Sequence, residues 1–174
     1  MIERLELSLD DLCAFLRRAK LATFAGEGPR SKRRFIRMYR YEEDDWTYED
    51  RYTGNLLDTG MEIVRLSGYP IWAMVYRGGM LAEKRDTSQE GFGFLKEALR
   101  LAPIEMPVRG PDLYSRDEWQ YINSVQGEVV EFTGLERILL SKQEVYRRLY
   151  QGGLVYDKKY TITIVKNHKG KNLT

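Results

Sequence analysis

A single cysteine and a single histidine are all that this 174-residue chain holds of the two residue types most often used for nucleophilic and metal chemistry. One cysteine, Cys13, excludes an intrachain disulfide and fits a reducing compartment, so a cytoplasmic setting is expected. The one histidine, His168, falls in a basic tail from Lys166 to Lys171. Histidine-based triads and histidine-rich metal sites are therefore not expected, and neither a metal nor an organic cofactor is called for. No apolar run is long enough to span a membrane. The opening residues, MIERLELSLDD, carry charges where a signal peptide needs an apolar block. Nor is one sign of charge in excess: 28 Lys and Arg face 26 Asp and Glu, a net charge of +2, which removes any global case for nucleic acid. Hydrophobic residues make up 43%, enough for one substantial core.

What the chain does have is a pattern written twice. Trp46-x-Tyr48, Gly54, Gly60-x-Glu62 and Tyr76-x-Gly78-Gly79 are answered by Trp119-x-Tyr121, Gly127, Gly134-x-Glu136 and Tyr150-x-Gly152-Gly153. A helix signal precedes each set. Ser8 can N-cap the first, with Asp11 at N3 and a stripe of Leu12, Phe15, Leu16 and Ala19 that Gly26 would end. The second starts at Thr87 with Glu90 at N3, runs through Phe94, Leu95 and Ala98, and ends before Pro103. Strands are expected over 35–41, 46–52, 61–66, 71–76, 119–125, 135–140, 145–150 and 160–165, with Tyr-x-Gly-Gly closing a strand each time. The short connections argue against a parallel sheet. The expected class is α+β: a tandem duplication of a helix plus a three- to four-stranded antiparallel unit, pseudo-twofold, with helices packed on the sheet. The repeats would cover 1–84 and 85–156, and a C-terminal strand and basic tail would cover 157–174, all in one globular domain.

Residues kept in both halves suggest scaffold, and those that differ suggest function. Glu62 and Glu136 each head an apolar stripe. Their plainer role is to accept a Tyr O–H or a backbone N–H; the functional alternative makes Glu62 a proton acceptor or ligand anchor. Trp46, Tyr48, Asp50 and Tyr52 share one strand face, placing a carboxylate among aromatic rings. That suits a cationic or planar ligand, or else a packed stripe whose Asp50 pairs with Arg37 or Arg51. Ile71–Val75 is apolar on both faces, so Trp72 and Met74 are either core or a displayed patch. The basic run of Arg30, Lys32, Arg33, Arg34, Arg37 and Arg40 suits a solvated loop whose later arginines meet the acidic turn Glu42–Asp45; that turn disfavours nucleic acid.

Together, Trp46-x-Tyr48-x-Asp50-Arg51-Tyr52-x-Gly54, Gly60-x-Glu62, Pro70-x-Trp72-x-Met74-x-Tyr76-x-Gly78-Gly79 and Arg109-Gly110-Pro111 resemble a bacterial and archaeal family known only as a domain of unknown function. The resemblance runs from about Leu9 to Leu154. Some members of that family stand behind helix-turn-helix segments of transcriptional regulators, so it implies a sensing or effector domain, and it implies no catalytic residue. The leading expectation is a non-enzymatic binding module that meets a small molecule or a protein partner through Trp46, Tyr48, Asp50, Arg51, Tyr52, Trp72 and Arg109. One alternative is an enzyme using Asp50 and Glu62 in acid/base chemistry. Another is a structural interaction domain paired by a strand edge, with a homodimer left open. A pocket around a perturbed Asp50 or Glu62 would favour the enzyme. A concave aromatic surface would favour ligand binding, and a flat Trp72/Met74 patch a protein partner.

Overall fold

A computed structural model describes residues 3–165; the basic tail and His168 lie outside the described residues. The chain begins with strand β1 (Glu3–Ser8) and helix α1 (Leu9–Ala22). A run of strands follows: β2 (Ser31–Arg33), β3 (Ile36–Glu43), β4 (Trp46–Gly54), β5 (Leu57–Leu66) and β6 (Tyr69–Met80). A 3-10 segment (Ala82–Thr87) leads into α2 (Ser88–Arg100), and then come β7 (Leu113–Arg116), β8 (Trp119–Glu128), β9 (Glu131–Leu140), β10 (Gln143–Leu154) and β11 (Tyr160–Val165).

These elements correct the expected class. Among the described residues eleven strands stand against two α-helices, and nine of the strands form one antiparallel sheet in the order β2-β3-β4-β5-β6-β10-β9-β8-β7. The chain is mostly β, rather than a repeated helix-plus-strands unit with helices as its layer. The expectation against parallel pairing also fails at one place. β1 and β11, from opposite ends of the described chain, run parallel from Glu3↔Tyr160 to Ser8↔Val165.

Several strands also run longer than expected, and the physical reason is glycine. Gly78-Gly79 and Gly152-Gly153 do not end strands but lie inside β6 and β10, because the backbones there come too close for a side chain. A Cβ on Gly78 would sit 2.2 Å from the Arg147 carbonyl oxygen. Gly60 is directly opposite Tyr76, and a Cβ there would sit 2.4 Å from the phenol oxygen. The ring thus lies across the glycine, which lets the hydroxyl reach β4. Gly60→Ala should therefore cost about 1–3 kcal/mol by overpacking. Urea denaturation checks the cost, and the Tyr76 ring resonances should shift; an unchanged midpoint would show that the ring has room to move.

The helices supply one apolar stripe each to a core otherwise built from strands. Ser8 caps α1, its Oγ accepting from the Asp11 N–H at 3.2 Å. The stripe of Leu12, Phe15, Leu16 and Ala19 joins Tyr48, Val64, Ile71, Trp72 and Met74 in one cluster, with Phe15 stacked on Trp46 at 5.1 Å. Phe94, Leu95 and Ala98 of α2 join Trp119, Tyr121, Ile138 and Tyr146 in a second. The capping box expected at α2 does not form: the Thr87 hydroxyl donates backwards to the Lys84 carbonyl instead. The early basic run is not a plain loop, since Ser31–Arg33 forms the exposed edge strand β2. Arg40 does meet the acidic stretch, pairing with Glu42 and with Glu49.

Candidate functional site

Lysine rarely belongs in an apolar helix stripe, yet Lys20 continues the row of Leu12 and Leu16 at four-residue spacing. α1 thereby carries an ammonium down onto the sheet, where Lys20 Nζ donates to Glu62 Oε2 at 2.5 Å and to the Val108 carbonyl at 3.0 Å. Glu62 on β5 is the cross-strand partner of Asp50 on β4, so two carboxylates lie side by side. Both are buried. Asp50 Oδ1 accepts from the Tyr76 hydroxyl at 2.7 Å. From β10, Arg148 reaches back to Asp58, Nη2 to Oδ1 at 2.5 Å, with its guanidinium 4.7 Å from the Tyr76 ring centre.

These side chains surround a cavity of about 40 Å³, closed on its apolar side by Phe24, Leu99 and Ala102. A water needs about 10–15 Å³ of such space, so the room is that of roughly three waters or three heavy atoms of a ligand. A wider trough of about 710 Å³ lies elsewhere, open to solvent and lined by Thr59, Val75, Arg77 and Leu149 among others. The small cavity is the stronger candidate because its wall holds buried charges, which are costly to keep unless paired or used.

Counting charges isolates Asp50. Lys20 pairs with Glu62, Arg148 with Asp58, and Arg109 with Glu136. Asp50 is a fourth carboxylate with three cations already taken, and among the described residues it makes no ion pair. Burial, and then the Glu62 charge, push its carboxyl up to about 7, against the pull of Tyr76, Lys20 and Arg148. It therefore holds a proton through the acid range and up to neutrality. Burial likewise raises Asp58, opposed by Arg148, and lowers the Lys20 ammonium, opposed by Glu62. One buried donor is left over: among the described residues, no acceptor reaches Arg148 Nε.

A neighbouring cluster shows what a filled version looks like. Asn123 faces Glu136 across β8 and β9 as Asp50 faces Glu62 across β4 and β5. Tyr150 donates to Asn123 Oδ1 at 2.7 Å, as Tyr76 does to Asp50. Glu136 takes two bonds from Arg109, at 2.7 and 2.6 Å, and one each from the Tyr121 and Tyr146 hydroxyls at 2.8 Å. Burial alone would raise the Glu136 carboxyl, but Arg109, helped by Arg148 and Tyr146, outweighs it and holds the group below its ordinary value. The loop after α2 completes this cluster. The Gly110 carbonyl accepts from Asn123 Nδ2 at 3.1 Å, and the Gly110 N–H donates to the Tyr121 oxygen at 3.0 Å.

Of the residues expected from sequence, Tyr48, Asp50, Tyr52, Glu62 and Arg109 line the cavity. Three do not. Trp46 packs on Phe15, and Trp72 is fully buried against Phe132, its Nε1 donating to the Val129 carbonyl at 2.9 Å. Arg51 alternates away from Asp50 and pairs with Glu49. Asp50 pairs with neither Arg37 nor Arg51, and of the two readings of Trp72 and Met74 the core one holds, since both are fully buried. Sequence reasoning missed Lys20, Asp58 and Arg148 as site residues. Lys20 was detectable as a charge in the apolar row, and Arg148 as an arginine where the first half has Met74. Asp58 carried no signal.

Among the described residues no three His, Cys, Asp or Glu side chains are grouped to hold a metal ion, and no helix is long and apolar enough to cross a membrane. No curated protein and no solved structure matches the chain. A family described only as a domain of unknown function, DUF5680, matches residues 50–155, a stretch that carries Asp50, Asp58, Glu62, Tyr76, Arg109 and Arg148. By that match, over more than half its length, the chain belongs to the DUF5680 family.

Proposed function

We propose that this protein binds a small polar molecule in the cavity beside Asp50. The observation that carries the reading is the pair of unspent groups in its wall: a carboxyl with no cation of its own and the free Arg148 Nε–H. A core that served stability alone would gain by neutralising such groups, since buried ionic clusters are often no better than apolar packing. The raised Asp50 favours a second reading, the acid/base enzyme, because a carboxyl near 7 can give and take a proton at working pH. Binding comes first because Lys20, Asp58, Glu62 and Arg148 are all held in pairs, leaving no second group to act as base or nucleophile. A sensing role in the cytoplasm belongs to the same proposal. Its support is the single cysteine and the resemblance to bacterial and archaeal domains behind helix-turn-helix segments.

A thermal-shift screen of small metabolites against the wild type and Asp50→Ala tests this. Hits should raise the wild-type midpoint and leave the variant unmoved. Hits that stabilise both equally would remove the cavity from consideration. Following each hit by NMR separates the two readings, since a bound molecule that is chemically converted makes the protein an enzyme.

A further inference from the structure

Resting on that binding reading, we propose that the ligand presents a neutral amide-type group. Its carbonyl oxygen accepts from the Asp50 carboxyl and Arg148 Nε, and an N–H one carbon removed from that carbonyl, where the ligand has one, donates to the Tyr48 oxygen.

The chain contains its own example of this arrangement. In the filled cluster Gly110 lies between Asn123 and Tyr121: the carbonyl of the Gly110–Pro111 amide takes a bond from Asn123 Nδ2, and the N–H of the preceding amide, one Cα away, gives one to the Tyr121 oxygen. Asp50 holds the register position of Asn123, and Tyr48 that of Tyr121: Tyr48 faces Val64 where Tyr121 faces Ile138. A protonated Asp50 also offers the same pair of functions as Asn123. Oδ1 accepts from a tyrosine, and the other heteroatom carries a hydrogen to donate. The missing element is the amide carbonyl beside them. Arg148 Nε adds a second donor, and a carbonyl oxygen has two lone pairs to receive both.

Charge selects a neutral head. With Asp50 protonated, Lys20, Arg109 and Arg148 balance Asp58, Glu62 and Glu136. A carboxylate ligand would leave one negative charge uncompensated in a buried site, and an ammonium would have to drive the proton off Asp50. An amide disturbs neither. Its three heavy atoms fit the roughly 40 Å³ available.

Binding should then follow the Asp50 proton. On β4 itself Tyr48 and Tyr52 face the cavity; Asp58 and Glu62 face it from β5 and Tyr76 from β6. Arg148 faces it from β10, Lys20 from α1 and Arg109 from the loop after α2, while Tyr39 on β3 feels the Asp50 charge. Burial pushes Tyr39 up to about 12 and carries Tyr48 and Tyr76 well above the ordinary phenol range, so these phenols stay protonated throughout.

The test is NMR titration with formamide, formate and methylamine from about pH 5 to about pH 9. Formamide should bind with constant affinity below about 7 and lose about tenfold per pH unit above it. Asp50→Asn supplies the donor at every pH, so it should keep the wild-type affinity within about threefold and abolish the pH dependence. Arg148→Lys keeps a cation for Asp58 but lacks Nε, and should weaken formamide by about tenfold. A pH dependence that survives in Asp50→Asn would assign the proton to another group, Lys20 first, and overturn the proposal. Formate or methylamine binding tighter than formamide below about pH 7 would also overturn it while leaving the cavity a ligand site. Failure of all three probes overturns it too. The binding reading itself falls if the metabolite screen is equally empty or its hits ignore Asp50→Ala.

Discussion

Arg109→Ala should destabilise the protein by about 3–5 kcal/mol, the cost of removing one partner from a buried ion pair. Glu136 is fully buried, and Arg109 supplies two of its four hydrogen bonds. Two phenols remain, but neither brings a positive charge. The carboxylate must then stay ionised without a counterion or take up a proton, and either is unfavourable at neutral pH. The loop after α2 loses its anchor as well, and Gly110 is then held to Asn123 and Tyr121 only by its own two bonds. Urea denaturation near neutral pH measures the loss. The double variant Arg109→Met with Glu136→Leu removes both charges and should recover most of it, because apolar pairs commonly match buried ion pairs. A loss below about 1 kcal/mol in Arg109→Ala would mean that the phenols alone satisfy Glu136. The result also bears on the cavity. Arg109 is named from sequence as a ligand contact and does line the wall, but its guanidinium is committed to Glu136. Ligand affinity lost in Arg109→Ala would follow from the disturbed loop.

How much of this the residues announce depends on the kind of signal. Helix α1 is legible from Ser8, Asp11 and its stripe, because capping and helical periodicity are local properties. The strands from Trp46 to Leu66 and from Trp119 to Leu140 are legible in outline from alternation. Their full lengths are not. Glycine normally marks a strand end, whereas Gly60, Gly78, Gly134 and Gly152 are there because a ring or a neighbouring backbone occupies the side-chain space. That fact belongs to the packed sheet, and without it the strands read shorter than they are. β1 was hidden for a related reason: ERLELS finds its partner in β11, far along the chain.

The site divides the same way. Asp50 and Glu62 stand out as carboxylates on apolar strand faces, and their adjacency follows once β4 and β5 pair. Trp46 and Trp72 were drawn in because large aromatics serve binding surfaces and cores alike, and only packing decides; here both are core partners of Phe15 and Phe132. Arg148 and Asp58 meet across 90 residues of sequence, through the β6–β10 pairing that joins the two sides of the sheet, and no local pattern encodes that contact.

The largest pH effect should belong to Asp50, and Asp50→Asn isolates it. The folded carboxyl is raised from its ordinary 3.8 to about 7. Between those values the folded protein holds a proton that the unfolded chain has released. The stabilisation tied to that proton is complete below about pH 4, is lost as pH rises toward about 7, and is gone above it. At about 1.4 kcal/mol per unit, the shift of roughly three units corresponds to on the order of 4 kcal/mol. Asp50→Asn has no proton to lose, yet its side-chain oxygen can still accept from Tyr76, as Asn123 does from Tyr150. In the absence of ligand the two proteins should therefore have similar stability near pH 4. The variant should pull ahead as pH rises and level off on the order of 4 kcal/mol more stable by about pH 8. Urea denaturation across that range gives the difference curve directly, and subtracting wild type from variant cancels the other carboxyls. Parallel curves would show that Asp50 ionises freely in the fold, in which case neither the proton balance of the cavity nor a ligand affinity that tracks it could stand.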